Sequence, residues 1–100
     1  MLHRKKVEIV VDDAGLDEVL ALIDAAGAKG YTVVRNVEGK GDRGLRAGHD
    51  LAGSFRNALV IVVAPEDVAR RIVEGTLRLL EGRPGIVLQS DVEVARGGQF

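Results

Sequence analysis

Cysteine is absent from this 100-residue chain. That excludes a disulfide framework and any thiolate metal site, and fits a reducing cytoplasm. Histidine is nearly absent too: His3 and His49 stand alone, with no H-x-x-H or H-E-x-x-H spacing to hold a metal. Aromatic residues make up 3% of the chain, namely Tyr31, Phe55 and Phe100. A sheet that binds RNA by stacking needs aromatics on its open face, so nucleic acid is not an expected partner. The net charge of −1 argues against nucleic-acid or membrane-surface binding driven by bulk charge. No segment approaches the roughly 20 apolar residues that span a bilayer. The opening "MLHRKKVEIVVDDAG" does not read as a signal peptide, because Glu8, Asp12 and Asp13 interrupt its short apolar stretch. Ser54 and Ser90 have no histidine base in a recognisable arrangement. The expectation is a soluble cytoplasmic protein with no membrane insertion and no catalytic residues.

Hydrophobic residues are plentiful at 46%, enough for a single folded domain over 1–100 with a loose tail at about 97–100. "KVEIVV", Lys6 to Val11, alternates as a strand. In "LDEVLALIDAAGAKG" the residues Leu16, Val19, Leu20 and Ile23 recur at helical spacing, with Asp12 or Asp13 as cap and Gly27 or Gly30 as stop. "YTVVRNV", Tyr31 to Val37, is a β-branched second strand. "NALVIVVA", Asn57 to Ala64, is a third. "PEDVARRIVEGTLRLLEG" opens with proline and acids as a second helix, stopped by Gly82, Pro84 and Gly85. "GIVLQSDVEVA", Gly85 to Ala95, is a fourth strand with a bulge expected near Ser90. Asp12 with Asp13, and Glu66 with Asp67, read as helix-start acids rather than catalytic dyads.

The order βαββαβ predicts an α+β ferredoxin-like fold, a four-stranded antiparallel sheet with both helices on one face. The third strand is apolar toward both faces. An antiparallel strand with one face in water should alternate, so the bare face predicts an oligomer in which sheet packs on sheet.

Between the second and third strands lies "VEGKGDRGLRAGHDLAGSFRN", with Gly39, Gly41, Gly44, Gly48 and Gly53. Residues 39–44 match G-x-G-x-x-G, but no amphipathic helix follows, so this is not a Rossmann turn. Its physical content remains. Gly39 and Gly41 let backbone N–H groups approach an anion, and Lys40, Arg43 and Arg46 supply positive charge. A solvated hairpin extension is the alternative reading of the same residues.

The stretch "AGAKGYTVVRNVEGKGDRGLRAG" resembles the PII signal-transduction superfamily, in particular its PII-like carbon-signalling branch. That branch includes carboxysome-associated PII-like proteins and regulators of bicarbonate transporters. The "GYTVV" strand leading to a "GKGxRxxR" turn carries the likeness, and element order extends it from Lys6 to Arg96. The resemblance implies a homotrimer with an adenine nucleotide in each cleft between subunits. It implies Thr32 near the adenine, and Gly39, Lys40 and Gly41 along the phosphate turn. Arg43 and Arg46 would reach the phosphates, Gly82, Arg83 and Gly85 would form a closing loop, and Arg96 would be a phosphate arginine. The loop from Asp42 to Phe55 would be the T-loop, with Asp42, Gly44, Leu45, Ala47, Gly48, His49 and Asp50 meeting a partner.

The chain departs from the nitrogen-regulating members in two ways. It has no tyrosine in the loop for covalent modification. Gly85 stands where they carry a lysine, so ADP or AMP is expected to bind at least as well as ATP, with cyclic AMP a further candidate. The implied function is a non-enzymatic regulator that senses adenine nucleotide, together with bicarbonate, and acts on a bicarbonate transporter or a carboxysome-associated protein. The alternatives are a trimeric metal-linked stress protein like the CutA family, and a small acylphosphatase-like enzyme.

Overall fold

The computed structural model describes residues 1–40 and 56–97. Its elements are β1 (Leu2–Asp12), α1 (Asp13–Ala25), β2 (Thr32–Val37), β3 (Asn57–Ala64), α2 (Glu66–Leu79) and β4 (Ile86–Val94). The sheet order is β2-β3-β1-β4, and every neighbouring pair is antiparallel. This is the βαββαβ fold expected from the sequence.

Strand β1 starts at Leu2, earlier than the apolar alternation from Lys6 suggests. The outer residues of the polar run His3–Lys5 meet polar partners on β4 instead. His3 faces Glu93 and Lys5 faces Asp91 across the β1–β4 ladder, with Lys5 Nζ 2.6 Å from Asp91 Oδ1 and His3 Nε2 3.8 Å from Glu93 Oε2. The bulge expected near Ser90 is not there. The β1–β4 register runs unshifted from Leu2↔Val94 to Val10↔Ile86, with Ser90 opposite Lys6. The irregularity lies in β2, where the register slips between Arg35 and Val37 and Asn36 takes φ 59°. Asparagine is among the side chains that tolerate this left-handed region.

The helix ends follow from their caps. The Asp12 side chain accepts a 2.9 Å hydrogen bond from the Gly15 N–H and satisfies one orphan donor of α1. At the other end the Gly27 N–H donates to Asp24 O and the Ala28 N–H to Ile23 O, while Gly27 sits at φ +99°. This is a Schellman arrangement, and the Arg71 guanidinium from α2 adds a 3.0 Å bond to Ala26 O. Helix α2 begins after Pro65 with Glu66 and Asp67 in its first turn and has Arg78 in its last, each sign matched to the helix dipole. The two helices approach closely at Gly75, where an added Cβ would lie 2.6 Å from Leu22 Cδ1.

The core lies between the helices and one sheet face. Val7, Ile9, Val11, Ala58, Val60, Val62 and Ala64 supply the sheet side, and Leu16, Val19, Ile23, Ala69 and Ile72 the helix side. Thr76 is buried with this core although polar, and its hydroxyl donates to Ile72 O at 2.7 Å. Burial along β3 alternates strictly although its sequence does not. Leu59, Ile61 and Val63 point to the other face and are only half-buried. The register sets Val34, Leu59, Val10 and Ile86 in one row across all four strands there. Val34 and Ile86 of that row are exposed, as is Leu88 one row on.

Candidate functional site

The ladder gives the sheet two ends. At the Asp12 end Asn57 faces both Asp12 and Val37. The Asp13 N–H donates to Arg56 O at 2.8 Å, which ties the start of α1 to the start of β3. Gly39 and Lys40 leave β2 at this end, and the turn Gly82–Gly85 enters β4 here, because Ile86 faces Val10. Asn36, Val37, Glu38 and Arg56 line a depression of about 380 Å³ at the base of the loop.

The residues predicted for the site are therefore split. Gly39 and Lys40 follow edge strand β2, and Gly82, Arg83 and Gly85 precede the opposite edge strand β4. Three strand spacings separate those edges, about 14 Å. Thr32 is exposed midway along the sheet, facing Ile61. Arg96 follows Val94, which faces Leu2 at the far end. The run of β4 from Ile86 to Val94 puts it about 26 Å from the Gly82–Gly85 turn. Gly41, Asp42, Arg43, Gly44, Leu45, Arg46, Ala47, Gly48, His49 and Asp50 lie outside the described residues.

Arg83 has partners that its sequence position did not announce. Its Nη2 lies 3.2 Å from Glu18 Oε1 on the first turns of α1, and both side chains are about half exposed. Its Nη1 passes over Gly15, where an added Cβ would stand 3.1 Å from that nitrogen and 3.3 Å from the capping Asp12 Oδ1. The guanidinium thus lies on the start of α1. The available signal was Gly15 itself, a poor helix former placed three residues after the cap. Gly85 is equally constrained. It has φ +154°, and a Cβ would fall 2.9 Å from Val10 O and 2.9 Å from Leu80 Cδ2. No side chain, lysine included, is accommodated there without moving the centre of the sheet.

The described residues offer no group of three or more His, Asp or Glu side chains placed to hold a metal ion. No described helix is long and apolar enough to cross a membrane.

Comparison with known proteins decides the family. The sequence matches the nitrogen regulatory protein P-II family over residues 4–99. The chain belongs to the P-II family. No curated protein sequence matches this P-II chain. Among solved structures it is similar to CPII, a nitrogen regulatory PII-like protein from Thiomonas intermedia K12, solved bound to ADP, AMP and bicarbonate. The TM-score is 0.82 at 33% identity, covering 95% of this chain and 91% of that one. It is also similar to a PII-like signaling protein from Thermus thermophilus, with TM-score 0.80 and 26% identity over 99% of this chain and 96% of that one. GlnK of B. subtilis in complex with ATP shares the fold at TM-score 0.67 and 20% identity, over 90% of this chain and 82% of that one.

Proposed function

We propose that this P-II protein is a non-enzymatic regulator that binds an adenine nucleotide, ADP or AMP in preference to ATP, in clefts between the subunits of a homotrimer. Bicarbonate is a second effector. The loop over 42–55 carries the signal to a bicarbonate transporter or a carboxysome-associated partner.

The observation that carries this reading is the likeness, at 33% identity over 95% of the chain, to a protein solved with ADP, AMP and bicarbonate. Two features of the chain support it. Among the described residues, Lys40, Arg83 and Arg96 sit at different edges and ends of one sheet, an arrangement that favours a ligand cleft built from more than one subunit. The apolar row Val34–Leu59–Val10–Ile86 gives a bare sheet face that burial against other copies would cover. The blocked position at Gly85 supports the preference for fewer phosphates, since a lysine cannot stand there to meet a third one. The family match over 4–99 favours this reading over a CutA-like metal protein or an acylphosphatase-like enzyme.

Titration calorimetry with AMP, ADP, ATP and cyclic AMP, each with and without bicarbonate, tests it. Saturable heat is expected from ADP and AMP at one site per subunit. The double variant Arg43→Ala/Arg46→Ala is expected to weaken binding with little change in the thermal midpoint. Absence of heat and of thermal shift with all four nucleotides would remove the reading.

A further inference from the structure

We propose that Glu18 holds Arg83 in a parked position on α1 and competes with the nucleotide phosphates for it, so that Glu18 sets the strength of nucleotide binding. This rests on the nucleotide reading above, and on three observations in the described chain. The Arg83 Nη2 to Glu18 Oε1 contact of 3.2 Å joins the turn before β4 to α1 across 65 positions of sequence. The guanidinium lies close over Gly15, where a Cβ would stand 3.1 Å from Arg83 Nη1 and 2.9 Å from Val11 Cγ2. The carboxylate of Asp12, already capping the Gly15 N–H, stands beside that position and adds negative charge.

The pair is open to solvent, with Glu18 55% and Arg83 40% exposed. A ligand can therefore reach the guanidinium without unfolding anything. An Arg–carboxylate contact of this kind is modest in free energy, so it is exchangeable. Glu18 takes a single bond from the guanidinium, whereas a phosphate, with more charge and more acceptor oxygens, can take it in a bidentate contact. Binding must then break the Glu18 contact, and its cost is subtracted from the nucleotide affinity. The swing is that of the Arg83 side chain alone: the Arg83 N–H stays bonded to Leu80 O at 2.9 Å, and Gly85 stays fixed against β1.

The test is a double-mutant cycle on ADP affinity with the full chain, using Glu18→Gln, Arg83→Gln and both together. Glu18→Gln keeps the side chain's size and removes its charge. It is expected to tighten ADP binding about two- to fivefold, the range that releasing an exposed pair allows. Arg83→Gln is expected to weaken binding. In the Arg83→Gln background the Glu18 substitution is expected to change nothing, because there is no guanidinium to release. A gain of equal size in both backgrounds would show a general field effect and overturn the competition. An unchanged affinity with a lowered thermal midpoint would make the pair a structural clamp and overturn it as well. If the wild-type chain binds no nucleotide, the underlying reading falls. If the wild type binds and Glu18→Gln brings no gain, only this proposal falls.

Discussion

Single residues at the Asp12 end of the sheet are constrained by backbone, and Gly85 is the clearest case. Two independent costs meet there. Its φ of +154° lies in a region that side chains rarely adopt, and its missing Cβ points at Val10 O and Leu80 Cδ2, both 2.9 Å away. Val10 cannot retreat, since β1 is paired on both sides, with Leu59 of β3 and Ile86 of β4. Gly82 carries only the first cost, with φ +76° and open space around it. Gly85→Ala is therefore expected to destabilise by about 1–3 kcal/mol for backbone strain and a similar amount again for overpacking. Gly82→Ala should lose only about 1–2 kcal/mol. Urea unfolding of the two variants checks the order. Equal losses would mean that Val10 and Leu80 relax freely around residue 85 and that the turn is not anchored to β1.

At the scale of elements, charge extends the sheet where hydrophobic alternation ends. The Lys5 ammonium is held above its ordinary value of 10.5, chiefly by its hydrogen bond to Asp91. A raised folded-state value means that the pair's stabilisation is fully present below about pH 10.5 and fades as pH climbs through the raised value. Asp91→Asn should remove that alkaline dependence. Urea midpoints of the wild type and the variant are expected to differ at pH 8 and to converge above the folded-state value; a constant gap across the titration would show that Lys5 does not sense Asp91. The same segment shows what could be read in advance. Apolar periodicity located both helices and the middle of β1, because burial against one core selects for it, and an unbroken apolar run located β3. Periodicity missed Leu2–Lys5, where the Lys5–Asp91 ion pair spans the ladder, a contact it does not register. It also misplaced the bulge, because a polar run such as Gln89–Asp91 resembles an interruption, whereas Asn36 looks like any other strand residue until its φ is known. At the candidate site residue type alone singled out Gly39 and Lys40 as candidates, and the family resemblance singled out Arg83. The Arg83–Glu18 contact was not legible, since it depends on which helix turn the 82–85 segment falls against.

For the whole molecule the decisive question is whether one subunit can bind alone. About 26 Å along β4 separates Arg96 from the turn that carries Arg83. If both meet one nucleotide, they come from different copies, and the outer face with Val34, Leu59, Val10 and Ile86 is where copies would join. This can be read by mixing. Arg83→Gln and Arg96→Gln chains should each bind ADP poorly when pure. Unfolded together and refolded at equal amounts, they should regain tight sites, because a cleft between an Arg96→Gln chain and an Arg83→Gln chain can draw its Arg83 from the first and its Arg96 from the second. Random assembly of a cyclic oligomer makes about one quarter of the clefts intact in this way, so the tight-binding stoichiometry should return to about that fraction. If both arginines served a cleft from the same chain, every cleft in the mixture would keep one defect and no tight sites would appear. Adding Ile86→Asp to both chains gives the matching control: a carboxylate in the apolar row should prevent assembly and abolish the recovery while leaving the helix-covered core intact. Tight ADP binding by a monomeric Ile86→Asp chain that keeps both arginines would place the nucleotide within a single subunit.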